Sequence, residues 1–443
     1  MSARKNQSQV PPPQVDLETL GTECQQLATK LKEHLSSNGH QQPSFESSGP
    51  IAYPKLSPEA DAARQRLREA CKTLLELASE PDEVLTEDLY NKVHDLNAFA
   101  YVSRFKIPEA IPTQGSIKYS ELASKTGTGI GQLKRALRHL MTLHVFAEPQ
   151  LGSVAHTASS KRLVESRGVR LYNDFVSRDT FKLAAFQVDA IDRWGHDSGE
   201  PDQAAHNIVY GTDKPLFDYY GENPARMAEF SELMQFMASS RFQRADHLVE
   251  AFDWAALGSA TLVDMGGNVG HCAAQVALAN PDMSCVVQDL PEVVARALSD
   301  DNSAVPAELR GRVTFMEHNI FAPQPLDAEV YLLRMILHDW SDDKCVTILG
   351  HIAVAMGRRP GSRLLVMDTV LPQPGEWQTV VERPMRSMDM QMSLMTNSKE
   401  RDLSEFESLF RRAEPRLVIR NVVKPVGSLM SLIEVTLGSD AGL

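Results

Sequence analysis

The stretch Thr261-Leu-Val-Asp-Met-Gly-Gly-Asn-Val-Gly270 constrains the fold of this chain more than any other. Residues 261–265 are a short apolar run of the kind that a strand buried on both faces requires. Gly266, Gly267 and Gly270 then leave the main chain bare where a helix can begin at His271. A strand, a glycine turn and a helix N-terminus make a nucleotide seat. The bare backbone admits close approach, and the first helical turn carries unpaired N–H groups.

A dinucleotide fingerprint, G-x-G-x-x-G, needs glycine at 265, 267 and 270, and position 265 is Met. The pattern here is D-x-G-G-x-x-G, with Asp264 at the tip of the strand. A carboxylate at that place repels pyrophosphate and suits a cation. S-adenosylmethionine, with its sulfonium and ammonium groups, is such a ligand, and Asp264, Gly266, Gly267 and Gly270 are candidate contacts for it. Asp289 closes a second apolar run, Cys285-Val-Val-Gln-Asp289. At the tip of a second strand its carboxylate can accept hydrogen bonds from both ribose hydroxyls. The plain alternative is a loop aspartate, but the spacing of the two features supports them jointly.

At 443 residues the chain has room for two or three domains and a large core. Its net charge of −13 argues against a surface built to hold nucleic acid or an anionic membrane. Cysteines at 24, 71, 272, 285 and 345 show neither a C-x-x-C pair nor zinc-ligand spacing, and read as reduced thiols. With no apolar core for a signal peptide and no long apolar span, a cytoplasmic protein is expected. Residues 1–55 read as a flexible segment around Pro11-Pro12-Pro13, with one helix-patterned stretch at Leu17, Leu20, Leu27, Leu31 and Leu35.

Residues 56–240 read as mostly helical. Within them, residues 116–123, a Gly-rich turn at 126–131 and residues 132–141 suggest helix, turn and helix. Residues 145–148 and 152–157 suggest the two strands of a wing, completing a winged-helix module. Such a module binds DNA through a basic helix, and Lys134, Arg135, Arg138 and His139 would supply the charge. The other reading, favoured by the acidic chain, is a dimerisation or lid domain with a solvated basic face. Phe217, Met234 and Met237 lie in stretches dense in Met and aromatic residues. Such residues at helical spacing ordinarily form core, yet thioethers and rings also grip flat ligands, so the three are candidates for a substrate pocket.

Residues 241–443 alternate strand and helix, the rhythm of a parallel α/β sheet. Strands are expected near 261–265, 284–289, 312–317, 329–336, 362–368, 416–423 and 429–437, the last two as a hairpin. Function in such a sheet gathers at the carboxyl ends of the strands. The fourth strand runs into His338-Asp-Trp-Ser-Asp-Asp343, where Ser341 and the aspartates after it suit a helix N-terminus. His338, at a strand tip facing the cofactor cleft, is placed to take a proton near neutral pH.

Taken in order, Leu262-Val-Asp-Met-Gly-Gly-Asn-Val-Gly270, Gln288-Asp-Leu-Pro-Glu-Val293, Leu337-His-Asp-Trp-Ser-Asp342, Met367-Asp-Thr-Val-Leu-Pro372 and Lys399-Glu-Arg401 resemble the plant caffeic-acid-type and fungal secondary-metabolite O-methyltransferases. The resemblance spans residues 90–437. It implies a Rossmann-like methyltransferase sheet, an N-terminal, mostly helical winged-helix dimerisation domain, and a homodimer. It also implies that Gly266 and Gly267 contact the methionine part of S-adenosylmethionine and Asp289 the ribose. His318 and Asn319 would lie near the adenine, and Arg334 close to the cofactor. His338 matches the family's general base, and Asp368 and Glu400 match the two acids that flank and orient it. Two positions depart from the pattern: Asn319 replaces an acid, and Asp368 is one methylene shorter than the usual Glu.

The function expected is S-adenosylmethionine-dependent methylation of a hydroxyl, phenolic in character, on a small secondary metabolite such as an aromatic polyketide, with no metal required. A catalytically silent methyltransferase-fold regulator and a winged-helix DNA-binding protein are the alternatives. A nicotinamide dehydrogenase is disfavoured by Met265.

Overall fold

Leu262, Val263, Leu332, Leu333, Leu364 and Val366 are all buried, which is why their strands read as unbroken apolar runs. In a computed structural model, which describes residues 16–299 and 304–438, these runs pair into a seven-stranded sheet. Its strands are β1 (Thr261–Met265), β2 (Ser284–Asp289), β3 (Val313–Glu317), β4 (Val330–Arg334), β5 (Arg363–Asp368), β6 (Leu417–Val423) and β7 (Ser431–Leu437). The spatial order is β6-β7-β5-β4-β1-β2-β3, and β7 runs antiparallel to both of its neighbours. The remaining ladders are parallel. Every expected strand is present, and the last two form the expected hairpin.

The strand order reverses between β1 and β4, and a ligand crevice belongs at such a reversal, outside the carboxyl ends. The glycine loop leaves from β1 and His338 from just beyond β4, so the topology brings both to the same edge. One face of the sheet buries Leu262, Val287, Leu332 and Leu365 with Trp254 and Val276. The other buries Val263, Tyr331, Leu333 and Ile433 with Ile348, Ile352 and Phe406.

β4 stops at Arg334, short of the expected 336. Met335 takes a left-handed conformation, φ +54°, and one 3-10 turn, Leu337–Asp339, follows before helix Asp342–Arg358. Ser341 occupies the N-cap of that helix without a side-chain capping bond, and Asp342 and Asp343 fill the first turn.

Contacts divide the chain between Ser177 and Arg178, not at the expected 240. The helices between 181 and 238 pack within the second unit. Gln187 donates to Ser393 Oγ at 2.8 Å, and Asn397 donates to the Ser198 carbonyl at 3.0 Å. In the first unit the helix patterned by leucines is Leu17–Ser37, capped by Asp16, and it packs against helix Pro58–Ala78 rather than standing apart. The prolines at 11–13 lie outside the described residues.

Helices Tyr119–Thr126 and Ile130–Met141 enclose a turn at Gly127, and strands Ile117–Lys118, Ser153–His156 and Phe146–Ala147 form a small antiparallel sheet beside them. This is the helix, turn, helix and wing expected. Three of the four basic side chains of the second helix are already engaged, and Arg135 bonds only the neutral Gln132 amide. Arg138 makes paired bonds to Glu148 at 2.9 and 3.0 Å, His139 meets Asp95 at 2.8 Å, and Lys134 lies over the Tyr119 ring. That leaves little of the positive face that DNA binding needs.

Truncating Leu332 to Ala in the centre of the sheet is expected to cost about 2–5 kcal/mol. A urea midpoint unchanged from wild type would contradict its placement in the core.

Candidate active site

His338 sits in the 3-10 turn beyond β4 and is buried. Its partner arrives from far along the chain. Strand pair Val370–Leu371 and Arg401–Asp402 runs parallel and carries Glu400 to the tip of β5, where Glu400 Oε1 lies 2.9 Å from His338 Nδ1. Glu400 is itself held, its N–H donating to Asp389 Oδ1 at 2.9 Å from helix Thr379–Thr396. On the other side of the ring, Asp339 Oδ1 stands 3.8 Å from Nε2.

Burial alone would lower the basicity of His338, but the negative charge of Glu400, then of Asp339 and Asp368, overcomes it and holds the imidazolium up to about 10. Burial pushes the Asp368 carboxyl up to about 7 and that of Asp339 up to about 6, both against the pull of His338. Of the two acids expected to flank and orient the ring, Glu400 makes the hydrogen bond and Asp368 does not. Neither of its oxygens has a hydrogen-bond partner among the described residues, and it acts on His338 through charge. An aspartate stops one methylene short of a glutamate, so only Glu400 makes the bond.

At the tips of β1 and β2 the glycine loop is shaped by close approach. Gly266 and Gly270 have φ of +71° and +81°. The N–H groups of Gly266 and Gly267 donate to the Gln288 carbonyl at 2.7 and 3.3 Å. A Cβ at position 267 would stand 2.7 Å from the Asp264 carboxyl and 2.8 Å from Val287. Asp289 accepts from the N–H groups of Asn268 and Leu290, both at 2.8 Å, and the His318 N–H donates to the Asp289 carbonyl at 2.9 Å. The sheet therefore gathers Asp264, the three glycines, Asp289 and His318. Arg334, buried at the end of β4, bonds the Gln243 carbonyl and acts electrostatically on Asp264. Asn319 is exposed, and its side-chain oxygen accepts from the Phe321 N–H, so its amide serves the local turn.

The donor set suits S-adenosylmethionine. Burial raises the Asp264 carboxyl to about 7, and its Oδ2 has no partner among the described residues. A ligand cation beside it would draw the proton off and satisfy that oxygen. His271, at the start of the following helix, has both ring nitrogens buried and unpartnered, and burial, then Arg334, lowers it to about 4. It is therefore a neutral imidazole with hydrogen-bonding capacity to offer. Sequence reasoning missed it, and also missed Asp339 as a charge beside the His338 ring; adjacency to Gly270 and to His338 was the only signal for either.

Of the substrate candidates, Phe217 packs its ring 6.1 Å from that of Trp340, two residues past His338, and 6.3 Å from Phe230. Met234 and Met237 are half-buried on helix Pro224–Ala238 and remain candidates by position alone.

The sheet order, glycine loop and acidic strand tips define a class I S-adenosylmethionine-dependent methyltransferase. Residues 195–414 match the model of the O-methyltransferase domain. O-methyltransferase bik3 of Gibberella fujikuroi is 37% identical over 430 residues, covering 95% of this chain and 93% of the relative. O-methyltransferase aurJ of Gibberella zeae is also 37% identical, covering 93% and 95%. The chain belongs to the O-methyltransferase family. Among solved structures, OxaC has the same fold at TM-score 0.72 and 20% identity, covering 94% of this chain and 100% of its own. So does a protein described as a pericyclic reaction enzyme, at TM-score 0.68 and 20% identity, covering 95% and 100%. Fold alone does not choose the reaction.

Gly267→Ala is expected to overpack the loop at a cost of about 1–3 kcal/mol; where the free loop relaxes that strain and binding must restore it, affinity for S-adenosylhomocysteine falls by about 5- to 160-fold. Calorimetric titration reads this directly, and undiminished binding would remove the loop from the cofactor site.

Proposed function

We propose that this O-methyltransferase methylates a phenolic hydroxyl of a small aromatic metabolite, with His338 as general base. The observation that carries the reading is the buried His338–Glu400 pair, 2.9 Å apart, at the strand edge that also bears the glycine loop. S-adenosylmethionine, when bound, supplies a methyl group already activated on sulfonium. Asp264, Gly266, Gly267, Gly270, Asp289, His271, His318 and Arg334 would hold it, with Asn319 at the margin.

The chain's own task is to align an oxygen and raise its negative charge. A phenol titrates at about 10 and is mostly protonated at neutrality. His338, held up to about 10, is matched to it, so moving the proton from phenol oxygen to Nε2 costs little. Glu400 keeps the Nδ1 proton in place, which leaves Nε2 as the accepting atom, and balances the imidazolium that forms. Because resting His338 already favours its charged form at neutral pH, substrate and base together release one proton to solvent as the reactive pair assembles. The second acid, Asp368, adds negative potential without touching the ring. Phe217 with Trp340 would stack on a flat substrate, and Met234 and Met237 would complete the pocket.

We further propose a cytoplasmic homodimer formed through the first unit, where Leu85, Leu89, Tyr90 and Val93 are exposed. No described helix is long and apolar enough to cross a membrane.

Screening phenols for transfer of labelled methyl tests the reaction. His338→Gln should abolish turnover on any phenol accepted by wild type, with S-adenosylhomocysteine affinity preserved; retained turnover would remove His338 as the base. Glu400→Gln deletes the first of the charges that raise His338, so the imidazole should lose its proton at lower pH. The acid limb of the kcat/KM profile should move down by roughly one to three pH units, with a lower plateau. A limb that stays in place would show that Glu400 does not set the base.

A further inference from the structure

Arg401 is 1% exposed, and a guanidinium taken that far from water is costly unless its donors are matched. Here they are. Nη1 donates to the Leu337 carbonyl at 2.7 Å and, more weakly, to the Lys399 carbonyl at 3.4 Å. Nη2 donates to the Trp340 carbonyl at 2.8 Å and to Asp342 Oδ1 at 2.8 Å, and Nε donates to the same oxygen at 3.1 Å. Leu337 and Trp340 bracket the single 3-10 turn that carries His338.

That turn needs holding. It is entered through Met335 at φ +54°, a conformation that costs a side-chain-bearing residue on the order of 1–3 kcal/mol and persists only where the surroundings over-determine it. One 3-10 turn has little hydrogen bonding of its own. Ser398 Oγ also donates to the Trp340 carbonyl at 2.7 Å, from the same segment as Arg401.

We propose that Arg401 is a positioning residue for the base: its guanidinium fixes the main-chain turn that carries His338, while Glu400, its neighbour in sequence, fixes the ring. Backbone and ring are thus registered to one segment, and the 2.9 Å bond between His338 and Glu400 depends on both. A lysine could not substitute, because a compact ammonium cannot span two carbonyls and a carboxylate with the geometry of the planar fork. The catalytic consequence rests on His338 being the base, but the alignment itself can be read without turnover.

The test uses the full chain, saturated with S-adenosylhomocysteine and labelled with nitrogen-15 in histidine. His338 is identified as the signal missing from His338→Asn. In wild type its Nδ1 proton should resonate downfield, bonded to Glu400, and the ring should titrate under the combined charge of Glu400, Asp339 and Asp368. Arg401→Lys should lose that downfield signal and bring the titration toward that of an ordinary histidine, with cofactor affinity held within about threefold. On a phenol accepted by wild type, kcat should fall on the order of 10²-fold, as expected for a base misplaced by about 1 Å, with KM little changed. Asp342→Asn, which keeps the guanidinium and loosens its anchor, should show the same changes at smaller size, and it serves if the lysine variant does not fold. Should both variants melt at lower temperature yet keep the His338 signal, its titration and kcat, Arg401 is packing alone and the proposal is overturned. If wild type methylates no phenol, the methyl-transfer reading fails, while the resonance still decides whether Arg401 aligns the turn.

Discussion

Charges cannot be taken out of water singly, and the carboxyl edge of this sheet buries an imidazole with three acids around it. The arrangement holds because charge is balanced within it. His338 is kept cationic by Glu400, while burial raises Asp368 and Asp339 toward their neutral forms. Much of the neighbouring architecture serves that balance. The short ribbon of Val370–Leu371 with Arg401–Asp402 delivers Glu400, Asp389 anchors its main chain, and Arg401 ties down the turn opposite. The glycine loop repeats the principle at lower charge density, where the Asp264 carboxyl is buried under the charge of Arg334.

The parts that were legible in the sequence are those governed by local physics. β1 and β2 could be bounded from apolar runs ending in an acid and a glycine, because a parallel strand covered on both faces has no polar alternation to confuse it. The same rule explains the overrun at β4: an apolar run cannot display a bend, so Met335 and Ile336 read as strand although Met335 is left-handed. The helix at Leu17–Ser37 was visible from leucine spacing. The unit boundary was not, since a helical pattern carries no mark of what it packs against. Only bonds such as Gln187 to Ser393 assign the 181–238 helices to the second unit.

Among the site residues the same division holds. His338 and the glycines announce themselves by type and position. The choice between Asp368 and Glu400 as the partner of the ring does not, because it turns on one methylene and on a strand pairing between distant segments. His271 and Asp339 carry no spacing signal, and their relevance comes from burial without partners in one case and from proximity to Nε2 in the other.

Helix Thr379–Thr396 carries methionines at 385, 388, 390, 392 and 395, and also Asp389, which grips the main chain of Glu400. Met385, Met392 and Met395 are buried, and their flexible thioethers let the packing of this helix absorb substitution. Yet this helix also supports the acid that holds the His338 ring. A substitution that shifts this helix is therefore felt two bonds away, at the contact between Glu400 and His338, although neither of those residues has changed.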